Sequence, residues 1–150
     1  MQYIKNKHLA SNLLMIRPCQ FFSNPQTADS NKFQGRSKLS DNELQEAALS
    51  EFDMLVSRLR EADMDVYVFE DTPNPITPDS VFPNNWVSLH NNGTVVLYPM
   101  EAENRRLERR LDIIYELRDK HGFDIKKIID MSYLEDKQEY LEGTGSMILD

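Results

Sequence analysis

Two short stretches of this 150-residue chain set polar side chains where a strand is about to begin: "FPNN" at 82–85 and "LEGT" at 141–144. Asn84 and Asn85 carry amides that both donate and accept hydrogen bonds, so they suit a cation or a neutral polar group. Turn chemistry also accounts for them, since Pro fixes φ and Asn tolerates turn conformations. Glu142 lies between Tyr140 and Leu141 on one side and the apolar Met147–Leu149 run on the other. A carboxylate in that setting is partly desolvated unless something cationic pairs with it. A bound guanidinium fits, because its planar donors match a carboxylate through two bonds. Orienting a catalytic imidazole is a second role for it, and a solvated surface glutamate is the third reading. Gly143 and Gly145 let the backbone turn tightly and approach a ligand. Phe82 offers an apolar wall or a core contact, and Trp86 is expected to pack in the sheet. Asp71 and Asp79 read as loop and capping residues.

The elements around these residues follow from periodicity. "NLLMIR" (12–17) reads as a short buried strand ended by Pro18, and a long polar loop follows it. Loops of that length tend to be binding segments or lids. "SDNE" from Ser40 is a capping box, with Glu43 at the third helical position. Leu44, Ala48, Phe52, Leu55, Leu59 and Ala62 then step by threes and fours along one helix face. "DVYVFE" (65–70) is a strand. "NWVSLH" and "TVVLYP" are two more, joined by the hairpin turn "NNG". Residues 101–122 read as one helix with the stripe Leu107, Leu111, Ile114 and Leu117, capped by Gly122. Its "RRLERR" segment is most cheaply a solvated face. "DIKKIID" (124–130) and "GSMILD" (145–150) are further strands.

This order contains a repeat. Val66 precedes Phe82 by sixteen positions, and Ile125 precedes Leu141 by the same number. "FPNN" and "LEGT" therefore occupy equivalent strand entrances in two α/β units. Such a repeat points to a radially repeated architecture in which strand entrances converge on a shared pocket.

Composition narrows the partners. With 25 Asp and Glu against 17 Lys and Arg, the net charge is −8. That argues against nucleic acid or an anionic membrane surface, which need a basic face. No apolar run approaches the ~18 residues of a bilayer span, and the N-terminus does not read as a signal peptide. Cys19 has no partner for an internal disulfide, which fits a cytoplasmic protein. His8, His90 and His121 lack ligand-like spacing, so neither a metal nor another cofactor is expected. Cys19 ends an apolar strand and reads as a packed thiol.

"PDSVFPNNW", "LYPM" followed by "NRRLERR", and "LEGTGSMILD" together resemble the N-terminal half of the guanidino-group-modifying, or pentein, superfamily. The likeness is to its arginine deiminase-related and dimethylarginine dimethylaminohydrolase-like branch, which includes citrulline utilization hydrolases and amidinotransferase-like proteins. It runs over essentially the whole chain, "RPCQFFSNPQTADSNKFQ" included. It implies an α/β propeller of five ββαβ units, of which residues 1–150 would be about half of a single domain. It also implies attack of a cysteine thiolate on the central carbon of a guanidine-like group, aided by a histidine and an acidic residue. Glu142 matches the acidic residue that holds the substrate and helps orient the histidine. Asn84 and Asn85 match an acidic pair that grips substrate nitrogens, and Phe82 matches the aromatic residue before that pair.

The asparagines in place of acids leave room for a ureido or other neutral group, and Glu-Gly-Thr-Gly lacks the motif's usual second carboxylate. The family's histidine and nucleophilic cysteine lie beyond the Glu142 motif, and Cys19 does not fill that place. The expected function is hydrolysis of non-peptide C–N bonds in guanidino or ureido compounds, with an amidinotransferase as the near variant. The 150-residue chain alone is expected to be inactive. The alternative is a non-catalytic binding module that needs a partner chain, its open sheet edge favouring self-association into a homo-oligomer. A generic α/β domain whose polar turns are only turns is the third reading.

Overall fold

The computed structural model describes residues 10–28 and 38–143. Leu13–Ile16 draw Asn12–Arg17 into strand β1, and Pro18, lacking an N–H, ends it. Helix α1 spans Asp41–Glu61. The Ser40 hydroxyl accepts from the Glu43 N–H at 3.4 Å while the Glu43 carboxylate accepts from the Ser40 N–H at 2.8 Å, so the capping box is formed. Asp41 and Glu43 in its first turn and Arg58 and Arg60 in its last suit the helix dipole. Its buried residues are Phe52 and Val56, with Leu59 beside them. Leu55, expected on this face, is exposed.

Strand β2, Asp65–Glu70, pairs parallel to β1 from Asn12 opposite Asp65 to Arg17 opposite Glu70. Alternation sends the two sets of side chains to opposite faces. Met15, Val66 and Val68 pack on Phe52 and Val56 of α1. Leu14, Ile16, Tyr67 and Phe69 meet a larger core of Trp86, Val87, Val95, Leu97, Met100, Ile113, Ile114 and Leu117. This explains why β1 and β2 are apolar on both faces: a parallel pair with a crossover helix is covered on each side. Trp86 is fully buried in that core, as expected.

Strands β3 (Val87–Leu89) and β4 (Thr94–Leu97) form the antiparallel hairpin that "NNG" forecast. The Gly93 N–H donates to the His90 carbonyl at 2.9 Å, and the Asn92 side chain accepts from the Thr94 N–H at 3.0 Å. Gly93 has φ 83°, and a Cβ there would strike the Asp124 carbonyl oxygen. Strand β5, Lys127–Asp130, joins β4 in parallel. It opens at Lys127 rather than Asp124, because β4 starts only after Gly93, whose carbonyl takes the Lys126 and Lys127 N–H groups.

The single helix expected over 101–122 is instead two: α2, Glu103–Arg106, and α3, Leu111–His121. No Gly or Pro lies between Glu103 and His121, so intrinsic propensity does not break it. Across the break the arginines take different partners: Arg105 binds Glu108 through two bonds of 3.1 Å, while Arg109 turns to Glu135. The stripe shifts accordingly. Ile113, Ile114 and Leu117 are buried, whereas Leu107 and Leu111 are exposed. Gly122 caps α3 in the left-handed conformation at φ 71°, as expected.

The order β3, β4, α3, β5 is a ββαβ unit, and among the described residues β1, α1, β2 repeats the order of its last three elements. Among the described residues the other edge of β1 carries no strand. The expected strand at 145–150, with Thr144 and Gly145, and loop residues 29–37 lie outside the described residues.

Candidate functional site

Asn84 and Asn85 sit in a 3-10 turn, Pro83–Asn85, rather than at the first residues of a strand; Trp86 follows and β3 opens at Val87. Pro83 begins the turn, and the Trp86 N–H closes it onto the Pro83 carbonyl. Phe82 stands before it, 47% exposed, so its ring is a surface wall and not a core contact.

The turn meets the chain again at Glu142. The Asn85 Nδ2 donates to Glu142 Oε2 at 3.1 Å. The Leu141 N–H donates to the Pro99 carbonyl at 3.1 Å, which ties this segment to the end of β4. Gly143 runs directly against the asparagine turn. A Cβ there would collide with the Asn84 carbonyl oxygen and lie 3.3 Å from that of Asn85 and 3.2 Å from the Tyr98 ring. Glycine is required at 143 for this close approach. The structure thus brings Asn85, Glu142 and Gly143 together, with Phe82 and Asn84 in the same turn.

Two members of the cluster are absent from the sequence-based set. Arg105, expected on a solvated face, is buried and reaches Glu142 Oε2 from Nη1 at 3.5 Å and Asp79 Oδ2 from Nε at 3.7 Å. Asp79, expected to be a loop residue, is a second carboxylate of the site, whereas Asp71 does have the loop role: it accepts from the Ser80 and Thr77 hydroxyls at 2.8 and 3.1 Å. Three carboxylates, Asp79, Glu108 and Glu142, therefore surround one guanidinium. The signal that could have found Arg105 is its place beside Glu108 in a stretch where helical periodicity fails. Two other arginines of that stretch also turn toward the protein. Arg106 donates to the Met100 carbonyl at 2.9 Å, and Arg109 to Glu135 at 3.0 Å.

Charge in the cluster is strained toward neutrality. Burial pushes the Glu108 carboxyl up to about 7, against the pull of the Arg105 hydrogen bonds and charge, and Asp79 and Glu142 push it the same way. Burial works against the Arg105 charge as well. The Glu108 hydrogen bonds and the three carboxylates outweigh it, so its pKa is raised and it stays cationic. With all three acids ionised the cluster has a surplus of negative charge, which favours a ligand bearing a cation or strong N–H donors.

Three further nucleophile and base candidates fall within the described residues. Cys19 lies in the loop after β1 with its thiol unpaired in a disulfide. His90 shares a 2.9 Å hydrogen bond with Ser88, and His121 packs edge-on against Tyr67. No group of three or more metal-ligating side chains is found among the described residues. No helix there is long and apolar enough to cross a membrane. A groove of about 560 Å³ over α1 and β2, lined by Phe52, Val56, Arg60 and Val68 among others, shares no residue with the cluster.

The fold has solved counterparts. A crystal structure of dimethylarginine dimethylaminohydrolase as an adduct with 4-chloro-2-hydroxymethylpyridine matches with a TM-score of 0.50 and 18% identity. It covers 80% of this chain and 40% of its own. A histidine-to-glycine variant of dimethylarginine dimethylaminohydrolase, as an adduct with S-methyl-L-thiocitrulline, matches with the same score and identity over 79% of this chain and 41% of its own. The chain thus spans about two fifths of the length of these structures, which are members of the pentein superfamily. No curated protein matches it. Residues 17–150 match the family described as N,N dimethylarginine dimethylhydrolase, eukaryotic, and the chain belongs to that family.

Proposed function

We propose that this chain supplies one wall of the substrate site of a hydrolase that cleaves a non-peptide C–N bond in a guanidino or ureido amino acid, N,N-dimethylarginine being the first candidate. The observation that carries this is the meeting of Asn85, Glu142 and Arg105, three residues far apart in sequence, at one partly open carboxylate. Oε2 of Glu142 is taken by Asn85 and Arg105, so its other oxygen faces the ligand's N–H groups. Asp79 offers a second acceptor, and the turn of Phe82, Asn84 and Asn85 lies beside Glu142 on the same wall.

The chemistry asked of the whole enzyme is simple to balance. A thiolate adds to the central carbon, the carbon–nitrogen bond to the departing amine breaks as that amine gains a proton, and water then cleaves the carbon–sulfur bond. The net change is addition of one water and release of one amine or ammonia, leaving a ureido product from a guanidino substrate and a carbamate from a ureido one. In this reading the residues described here hold and orient the substrate. The nucleophile and base come from another part of the closed α/β propeller; His90 and His121 make other contacts, with Ser88 and Tyr67.

The test is amine release by the complete gene product from N,N-dimethyl-L-arginine, L-arginine and L-citrulline. The proposal expects turnover of at least one, lost in Glu142→Ala. Equal activity of Glu142→Ala and the native protein, or no turnover of any of the three, contradicts it.

A further inference from the structure

Asn24 lies in the loop after β1, far in sequence from the asparagine turn, yet it is 1% exposed. Its amide is fully used. Nδ2 donates to Asp79 Oδ2 at 2.6 Å and to Asn104 Oδ1 at 3.3 Å; Oδ1 accepts from Asn104 Nδ2 at 2.8 Å and from the Gln26 N–H at 3.0 Å. Gln26 in turn accepts from the Asn104 N–H at 3.0 Å. Asn104 is the residue before Arg105 on α2. One side chain therefore holds both the Asp79 carboxylate and the short helix that presents Arg105. Gln45 of α1 fixes the near end of the same loop by donating to the Pro18 carbonyl at 3.0 Å and accepting from the Phe21 N–H.

We infer that Asn24 is a positioning residue for ligand binding, setting the Asp79 carboxylate against Arg105 so that the remaining Asp79 oxygen faces the substrate. This rests on the proposed function, in which Asp79 and Glu142 grip the ligand. Asp79 Oδ2 takes the Asn24 amide and the Arg105 guanidinium on one side, which fixes the rotation of the carboxylate. Only an amide meets all of these demands at once. Asp79 needs a donor and the Gln26 N–H needs an acceptor, whereas an aspartate at 24 would set two carboxylates 2.6 Å apart around one proton. The role is positional because Asn24 would act through Asp79 without touching the ligand. A hydrogen bond to a charged acceptor is worth enough to change affinity about tenfold or more when lost.

The experiment is a double-mutant cycle on ligand affinity in the complete protein. Dissociation constants for L-arginine and L-citrulline are measured by calorimetry for the native protein, Asn24→Ala, Asp79→Ala and the double variant, well below each unfolding midpoint. Asn24→Ser, which keeps a small polar group, serves as the second variant should Asn24→Ala not fold. The inference expects Asn24→Ala to weaken binding about tenfold and to add nothing in the Asp79→Ala background. A lower unfolding midpoint with unchanged affinity, or additive losses in the double variant, would make Asn24 a purely structural anchor and overturn the inference. If Asp79→Ala and Glu142→Gln both bind as the native protein does, or nothing binds the native protein, the functional reading itself falls and the inference with it.

Discussion

Glu108 offers a quantitative test of the buried charge cluster. Its side chain is fully buried, and burial raises its carboxyl to about 7 from an ordinary value of 4.5 despite two hydrogen bonds from Arg105. In the window between those values the native protein holds a proton that the unfolded chain has already released. Stability must therefore fall as pH rises through it, and the loss is complete once pH passes the folded value. At ~1.4 kcal/mol per pH unit, the full shift is worth about 3 kcal/mol. Glu108→Gln keeps the shape and one acceptor for Arg105 but has no proton to lose. Urea unfolding of both proteins at pH 5, 6, 7 and 8 isolates this group, because the two proteins differ only there. The native protein should lose about 2–3 kcal/mol more than Glu108→Gln across that range, the remainder falling below pH 5. Parallel profiles, or a native protein that gains stability relative to the variant as pH rises, would refute the account of the cluster.

Gly143→Ala would drive a Cβ into the Asn84 carbonyl oxygen. It should separate Glu142 from Asn85 at a cost of about 1–3 kcal/mol, read from the unfolding midpoint together with ligand affinity. Asn85→Asp places a carboxylate 3.1 Å from Glu142 where an amide now donates. Like charges at that distance raise one of the two pKa values, so ligand affinity should become pH-dependent in a way the native protein is not. Gly122→Ala meets no atom within 4 Å but must hold φ 71°. Its cost should be about 1 kcal/mol of unfolding free energy with ligand affinity unchanged, which separates stability from function.

Much of the fold was legible because its signals are local. β1 ends at a proline, α1 begins at a capping box, the β3–β4 turn is built on Gly93, and α3 stops at Gly122. The break between α2 and α3 was not legible, since nothing in Leu107–Arg110 disfavours a helix. In the fold, Arg105 and Arg109 on either side of the break turn to different partners, Glu108 and Glu135. Half of the site was hidden in the same stretch. A run such as "RRLERR" has the composition of a solvated surface, and only the fold shows that Arg105 and Arg109 are turned inward. Asn85 and Glu142 were singled out because each lies in a polar turn ahead of an expected strand, and the structure joins them by a hydrogen bond. Asp79 and Asn24 carry no such mark. Their roles arise from hydrogen bonds that join three loops.

The central claim is that the carboxylate of Glu142, held by Asn85 and Arg105, grips the ligand. Its most direct test is the affinity of the complete protein for N,N-dimethyl-L-arginine, measured by calorimetry with the native residue and with Glu142→Gln, which preserves shape and removes charge. The account predicts that the native protein binds and that Glu142→Gln binds at least tenfold more weakly while unfolding at a similar midpoint. Equal affinities would contradict it and leave the asparagine and glutamate turns as turns alone.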